Sequence, residues 1–299
     1  NINILLLNLK TIIQTMRFTT YFTASCIYLL ISCSNHSTES FNSFKKIIWS
    51  DSESLPTSTE TTLLKPVDDI IRITDINRPS LEVFPAKGSG LKPAVLIFPG
   101  GGYDLLAYNL EGTEIAEWCN NHGITAIIVK YTVPNNREAA FKDGLQALKL
   151  TREHASEWKI DPDKIGVMGF SAGAHLSARI SSTNYKSTST SMLKELVRPD
   201  FSILIYPAYL ESITLTNATE DIPFLNSSPP TFIVQTKDDS SFVDGTITYY
   251  NALKKNNPEV TFRLFETGGH GYGLRLDPSQ KLSEWPTLLK TWFIEKGII

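Results

Sequence analysis

Cysteine is scarce, with three in 299 residues, too few for a disulfide framework or a thiolate zinc site. Positive charge is not in surplus either. Lysine and arginine number 28 against 31 aspartates and glutamates, a formal net charge of −3, which argues against a nucleic-acid binder with its basic stripe. A mean hydropathy of −0.09 excludes a polytopic membrane protein. No internal repeat is visible, and no His, Asp and Glu cluster has metal-ligand spacing, so no metal site is expected. What is present is an ordinary globular balance, 41% hydrophobic and 20% charged. That is enough chain for one large α/β domain or two small ones.

Much of the apolar surplus sits at the start. Residues 1–15 read as a run-in. Met16 then opens Met-Arg-Phe-Thr-Thr, a short charged segment leading into the apolar run Tyr21 to Ile31. The end of that run, Leu30-Ile31-Ser32-Cys33, resembles a bacterial lipobox, in which the cysteine becomes the lipidated first residue of the mature chain. A membrane anchor from Ile2 to Ile31 is the competing reading. Asn, Lys, Gln, Arg and Thr interrupt it, however, and its longest unbroken run falls short of the ~20 residues a span requires. The expectation is a signal over 1–32 and lipidation at Cys33. The protein would then sit at the bacterial cell envelope, touching the membrane only through that lipid. Residues 33–62, rich in Ser, Thr, Asn and Glu, should form a flexible tether. The folded domain should begin between Ile47 and Val67, and we place it at 63–299.

From Asp69 onward, β-branched runs alternate with amphipathic segments. Ile70 to Ile76 and Leu81 to Phe84 read as two leading strands joined around Asn77-Arg78-Pro79. Ala94 to Phe98, Ile124 to Val129, Ile165 to Met168, Phe201 to Ile205, Thr231 to Gln235 and Val260 to Phe265 read as further strands. Helices are expected over Thr113 to Asn121, Arg137 to Trp158, Ala172 to Ile180 and Leu282 to Ile294. Fully apolar strands alternating with helices imply an α/β fold, with a mostly parallel sheet covered on both faces. The opening strands suggest an antiparallel edge.

Gly169-Phe170-Ser171-Ala172-Gly173 falls between an expected strand and an expected helix. A serine there occupies a sharp turn that lifts its hydroxyl above the sheet, and the flanking glycines let the neighbouring backbone approach. The helix N-terminus behind it favours negative charge. Upstream, Pro99-Gly100-Gly101-Gly102-Tyr103 follows another buried strand. Backbone N–H groups of Gly101 and Gly102, with that of Ala172, would form an oxyanion hole. A phosphate-binding loop is the rival, but the Lys-Ser/Thr of a P-loop and the spaced glycines of a dinucleotide fold are absent.

A serine nucleophile needs a base, and histidine is the natural one. His36 lies in the tether, His122 at a helix end, His154 on an outer helix facing solvent, and His175 one turn beyond Ser171, packed beneath it. His270 stands in Thr267-Gly-Gly-His-Gly-Tyr-Gly273, after the last apolar strand, where a loop can carry it over the sheet edge. The acid belongs between Ser171 and His270, at a strand end. Asp238 and Asp239 both fit, whereas Asp200, Asp221 and Asp244 read as turn, surface or helix-start residues. Cys119, within a helix, reads as a packing residue.

Taken together, these segments resemble the α/β-hydrolase superfamily. More narrowly, they resemble bacterial esterases related to dienelactone hydrolase, feruloyl esterase and acetyl xylan esterase. The resemblance runs from about Ala94 to Gly273. It is carried by Pro99-Gly-Gly-Gly-Tyr103, Trp158-Lys-Ile-Asp-Pro162, Ile165 to Gly173, Ser228-Pro-Pro-Thr-Phe232 and Gly268-Gly-His-Gly-Tyr-Gly273. It implies ester hydrolysis without a cofactor by Ser171, Asp238 and His270, because in such enzymes the first acid of an Asp-Asp pair usually serves. Gln235-Thr236-Lys237 before the pair, Ser240-Ser241-Phe242 after it, and Ala174-His175 after the elbow depart from the common pattern. Secreted members often deacylate plant or algal polysaccharide, so an acylated carbohydrate or small ester is the expected partner. A lipolytic or feruloyl esterase and a serine exopeptidase are the alternatives with the same three residues.

Overall fold

The most apolar runs become the middle of a sheet. The computed structural model describes residues 43–49, 57–65, 67–182, 198–210, 222, 228–255, 257 and 259–299. The chain divides into two units, 1–41 and 42–299. The first lies outside the described residues, and with it the expected signal, Cys33 and the start of the expected tether. In chain order the elements are β1 (Phe44–Ile47), β2 (Thr61–Leu64), β3 (Ile71–Thr74), β4 (Ser80–Phe84), β5 (Lys92–Phe98) and β6 (Leu106–Ala107). A π-helical turn (Asn109–Thr113) leads into α1 (Glu114–Asn121), β7 (Thr125–Lys130), α2 (Arg137–Glu153), β8 (Ile160–Phe170) and α3 (Ala172–Ser181). Then come β9 (Ser202–Ile205), β10 (Thr231–Thr236), α4 (Val243–Lys254), β11 (Val260–Phe265), a 3-10 turn (Lys281–Glu284) and α5 (Trp285–Glu295).

The main sheet has the order β1-β4-β7-β5-β8-β9-β10-β11. From β7 to β11 every pairing is parallel, while β1 and β4 add an antiparallel edge. Alternate residues of β5 feed opposite faces, as the pleat requires. Leu96 and Phe98 pack with Leu148 of α2 and Ile180 of α3. Val95 and Ile97 pack with Ile115 of α1 and Phe293 of α5. All six residues of β7 are buried, which explains why these strands read as unbroken apolar runs. No helix among the described residues is long and apolar enough to cross a membrane.

Two expectations need correction. The leading strands do not pair with each other. β3 joins β2 and β6 in a separate three-stranded antiparallel sheet, and β4 lies between β1 and β7. Between them the Asn77 side chain accepts from the Thr59 N–H and donates to the Thr57 carbonyl. Their burial differs accordingly, as β3 is mostly half-buried and β4 mostly buried.

The second correction concerns residues 33–62, which are not tether throughout. β1 pairs with β4 from Phe44–Val83 to Ile47–Ser80, Ile48 is 1% exposed, and the Trp49 indole N–H donates to Asp143 Oδ1 at 2.6 Å. The few apolar residues in a polar stretch are the ones that dock. The folded unit therefore starts well before residue 63. Helix α4 was not anticipated, and the helix expected to reach Trp158 ends at Glu153, capped by His154. If the β1 segment is part of the core, Ile48→Ala should lower stability by ~2–4 kcal/mol in urea unfolding. A change within ~0.5 kcal/mol, as for a surface substitution, would show that the segment is only a loose attachment.

Candidate active site

Ser171 sits where β8 turns into α3, with φ 51° and ψ −118°, a strained conformation for a residue with a side chain. The turn is held from several sides. The Ser171 N–H donates to the Ile205 carbonyl at 3.1 Å, and its own carbonyl accepts from Ala174, His175 and Ala208. The flanking glycines are required by contact. A Cβ on Gly169 would lie 2.1 Å from the Gly173 oxygen, and one on Gly173 would lie 1.9 Å from the Phe98 oxygen. Strand, turn and helix can cross this closely only where both positions lack a side chain.

His270 reaches this serine from the loop after β11. Its Nε2 is 2.7 Å from Ser171 Oγ, and its Nδ1 is 2.8 Å from Asp239 Oδ2. Asp239 is 5% exposed, so its carboxylate is screened from water and paired with the imidazole. Asp238, the expected acid, does not face the imidazole. It is exposed, and its two oxygens accept the N–H groups of Gly268 at 3.0 Å and Gly269 at 2.9 Å. Slight burial works against ionisation of Asp238, but the N–H groups of Gly269 and Gly268 outweigh it and hold the carboxyl below its ordinary value. Neighbouring side chains past a strand end point apart. One acid therefore clamps the loop from outside, while the other lies beneath the ring. The chemistry available to Ser171–His270–Asp239 is abstraction of the hydroxyl proton by Nε2, with the carboxylate fixing the tautomer and balancing the imidazolium.

The Gly100–Gly102 turn lies against the elbow. A Cβ on Gly100 would meet Phe170 O at 2.6 Å and Ser171 Cβ at 2.8 Å. The N–H groups of Gly101, Gly102 and Ala172 donate to no acceptor among the described residues, which leaves them available to an oxygen bound beside Ser171. The Phe242 ring lies 5.0 Å from the His270 ring, and the Tyr206 ring 5.1 Å from it. Among the described residues, no group of three or more His, Cys, Asp or Glu could hold a metal ion.

Residues 95–227 match the model of an α/β-hydrolase-fold family. This chain has the α/β-hydrolase fold. The acetylxylan esterase of Xylanibacter ruminicola is 31% identical over 205 residues, covering 60% of this chain and 41% of the relative. The endo-1,4-beta-xylanase B of Butyrivibrio fibrisolvens is 30% identical over 207 residues, covering 60% and 32%. The chain thus spans less than half the length of these two curated relatives. Among solved structures, an acetyl ester-xyloside bifunctional hydrolase from Caldicellulosiruptor lactoaceticus superposes with a TM-score of 0.68 at 28% identity, covering 86% of this chain and 97% of that one. A thermophilic esterase of Thermogutta terrifontis shares the fold, with a TM-score of 0.61 at 20% identity over 82% and 97% of the two chains.

Several side chains in this α/β-hydrolase fold are placed as expected. His175 is buried, with Nδ1 2.8 Å from the Tyr103 hydroxyl, and His122 caps α1. Burial pushes the Cys119 thiol well above its ordinary value, in keeping with a packing role. His154 is less solvent-facing than expected, since its ring stacks on Trp158 at 5.0 Å. Asp244 falls in the first turn of α4, and Asp221 lies outside the described residues.

Sequence reasoning missed Glu111 and Tyr206. Glu111 Oε2 accepts the Gly100 N–H at 2.6 Å, and Oε1 accepts the Tyr206 hydroxyl at 2.8 Å. Burial raises its carboxyl to about 7, against the two hydrogen bonds it accepts. Its only sequence signal is an acid between Leu110 and Gly112 at the start of a buried helix. The geometry predicts that Asp239→Asn cuts nitrophenyl acetate turnover by about 10³–10⁴-fold, while Asp238→Asn costs about tenfold through loop displacement. Equal or reversed losses would return the acid to Asp238.

Proposed function

We propose that this chain is a serine carboxylic-ester hydrolase that deacetylates a plant or algal polysaccharide, in the manner of an acetyl xylan esterase. The observation that carries the reading is the unbroken chain Ser171–His270–Asp239, together with N–H groups of Gly101, Gly102 and Ala172 that donate to no acceptor among the described residues. Ser171 Oγ attacks the acyl carbon as its proton passes to His270 Nε2. The carbonyl oxygen takes up the electron pair and rests against those three N–H groups. Collapse breaks the bond to the alcohol oxygen, which leaves with the proton from His270, and the acyl group stays on Ser171. Water then gives a proton to His270 and attacks the acyl-serine. The second tetrahedral species expels Ser171, reprotonated by His270, and the carboxylic acid departs.

The choice of acetylated glycan draws on the names of the relatives, an acetylxylan esterase and an acetyl ester-xyloside hydrolase. Acetate release from acetylated xylan should be readily measured and should fall at least 10³-fold in Ser171→Ala. Full activity in that variant would sink the mechanism. A preference for long acyl chains, feruloyl esters or aminoacyl anilides would keep the three residues and replace the substrate.

The lipobox reading belongs to the same proposal. An enzyme held by a lipid on Cys33 at the bacterial cell envelope, in the periplasm or at the cell surface, meets glycans too large to enter the cell. In a bacterial host, Cys33→Ser should move the protein from the membrane fraction to the soluble fraction and abolish palmitate labelling. Unchanged labelling would remove the anchor from the account.

A further inference from the structure

We propose that Glu111 is a positioning residue, one that ties the Gly100–Gly102 turn and the His270 loop into a single hydrogen-bonded frame. The proposal rests on the esterase reading of Ser171. Glu111 is 3% exposed and has no cationic partner among the described residues. A buried carboxylate without a counter-ion is a poor way to stabilise a fold. Here both oxygens are committed to donors from opposite sides of the site.

On one side the donor is the Gly100 N–H, one residue before Gly101. A Cβ on Gly100 would lie 2.8 Å from both Glu111 Oε2 and Ser171 Cβ, so the turn is wedged between the carboxylate and the serine. On the other side the donor is the Tyr206 hydroxyl, whose oxygen in turn accepts the Gly273 N–H at 3.0 Å. Gly273 lies three residues after His270, and the Tyr206 ring packs on His270 itself. One carboxylate therefore sets the distance between the groups that receive the oxyanion and the group that moves the proton.

The chemistry favours a carboxylate here over its amide. Gly100 and Tyr206 both donate, and glutamine would offer them one acceptor and one donor. Tyr206 cannot reverse its bond without loss, because its oxygen already accepts from Gly273 and its own hydrogen would be left unpaired in a buried place. The charge itself works against a developing oxyanion, so any catalytic benefit must come from geometry. Misplacement by about 1 Å can cost about 100-fold in rate.

The test uses the full chain with nitrophenyl acetate, and methylboronic acid as a tetrahedral mimic that bonds to the serine. Glu111→Gln should lower kcat about 10–100-fold with KM within about twofold, and should weaken methylboronic acid inhibition by a similar factor. Tyr206→Phe keeps the buried ring and should lose about 5–10-fold in kcat. The double variant should lose no more than about the larger single loss, because both act through one chain of bonds. A kcat for Glu111→Gln that is unchanged or higher, or a loss confined to KM, overturns the proposal, as does an additive double variant. Should Glu111→Gln fail to fold, Tyr206→Phe decides alone, and a kcat within twofold of the parent overturns the frame. Ser171→Ala run in parallel separates the two readings. Activity retained there removes the esterase mechanism, whereas its loss beside an unimpaired Glu111→Gln removes only the frame.

Discussion

The close crossing of β8 and α3 at Ser171 is the constraint from which the site follows. Two positions without side chains, Gly169 and Gly173, let the turn press against β5 and its own helix to within distances that a Cβ would violate. The serine is thereby forced to positive φ, and its hydroxyl is raised over the carboxyl ends of the parallel strands. Every other group in the site arrives there from the end of one of those strands. The Gly100–Gly102 turn comes after β5, Asp239 after β10 and His270 after β11. A parallel sheet makes this convergence natural, because all its strands deliver their loops to one edge.

Three carboxyl groups near that edge illustrate how environment divides labour among identical chemistry. Asp238 is exposed and grips two backbone N–H groups, so it shapes the loop that carries His270. Asp239, its neighbour, is buried and paired with the imidazole. Glu111 is buried with no cationic partner among the described residues and binds two neutral donors, and burial raises its carboxyl to about 7. For Asp238 and Glu111 burial penalises charge, and the number and kind of donors decide how far that penalty is offset.

Much of this was legible in the residues. Ser171 and His270 are each flanked by glycines after an apolar strand, and such local signals survive without knowledge of the fold. The unbroken apolar runs marked the interior strands because both sheet faces are covered. What was not legible depended on direction and distance. Asp238 and Asp239 are chemically identical neighbours, and only the path of the chain after β10 shows which one lies under the ring. β1 was hidden because four strand residues in a polar stretch draw their stability from pairing with β4, not from their own pattern. Glu111 was hidden for a related reason, since its partners are 11 residues before it and 95 residues after it.

The amino-acid order alone determined the elements of the central sheet, the strained serine turn and the histidine loop, because apolar periodicity and glycine placement are local properties of the chain. Tertiary structure alone decided which aspartate meets His270, where the folded unit begins, and that a lone glutamate spans the two halves of the site. Those outcomes are set by which distant backbone donors and side chains come within hydrogen-bond reach once the core has closed.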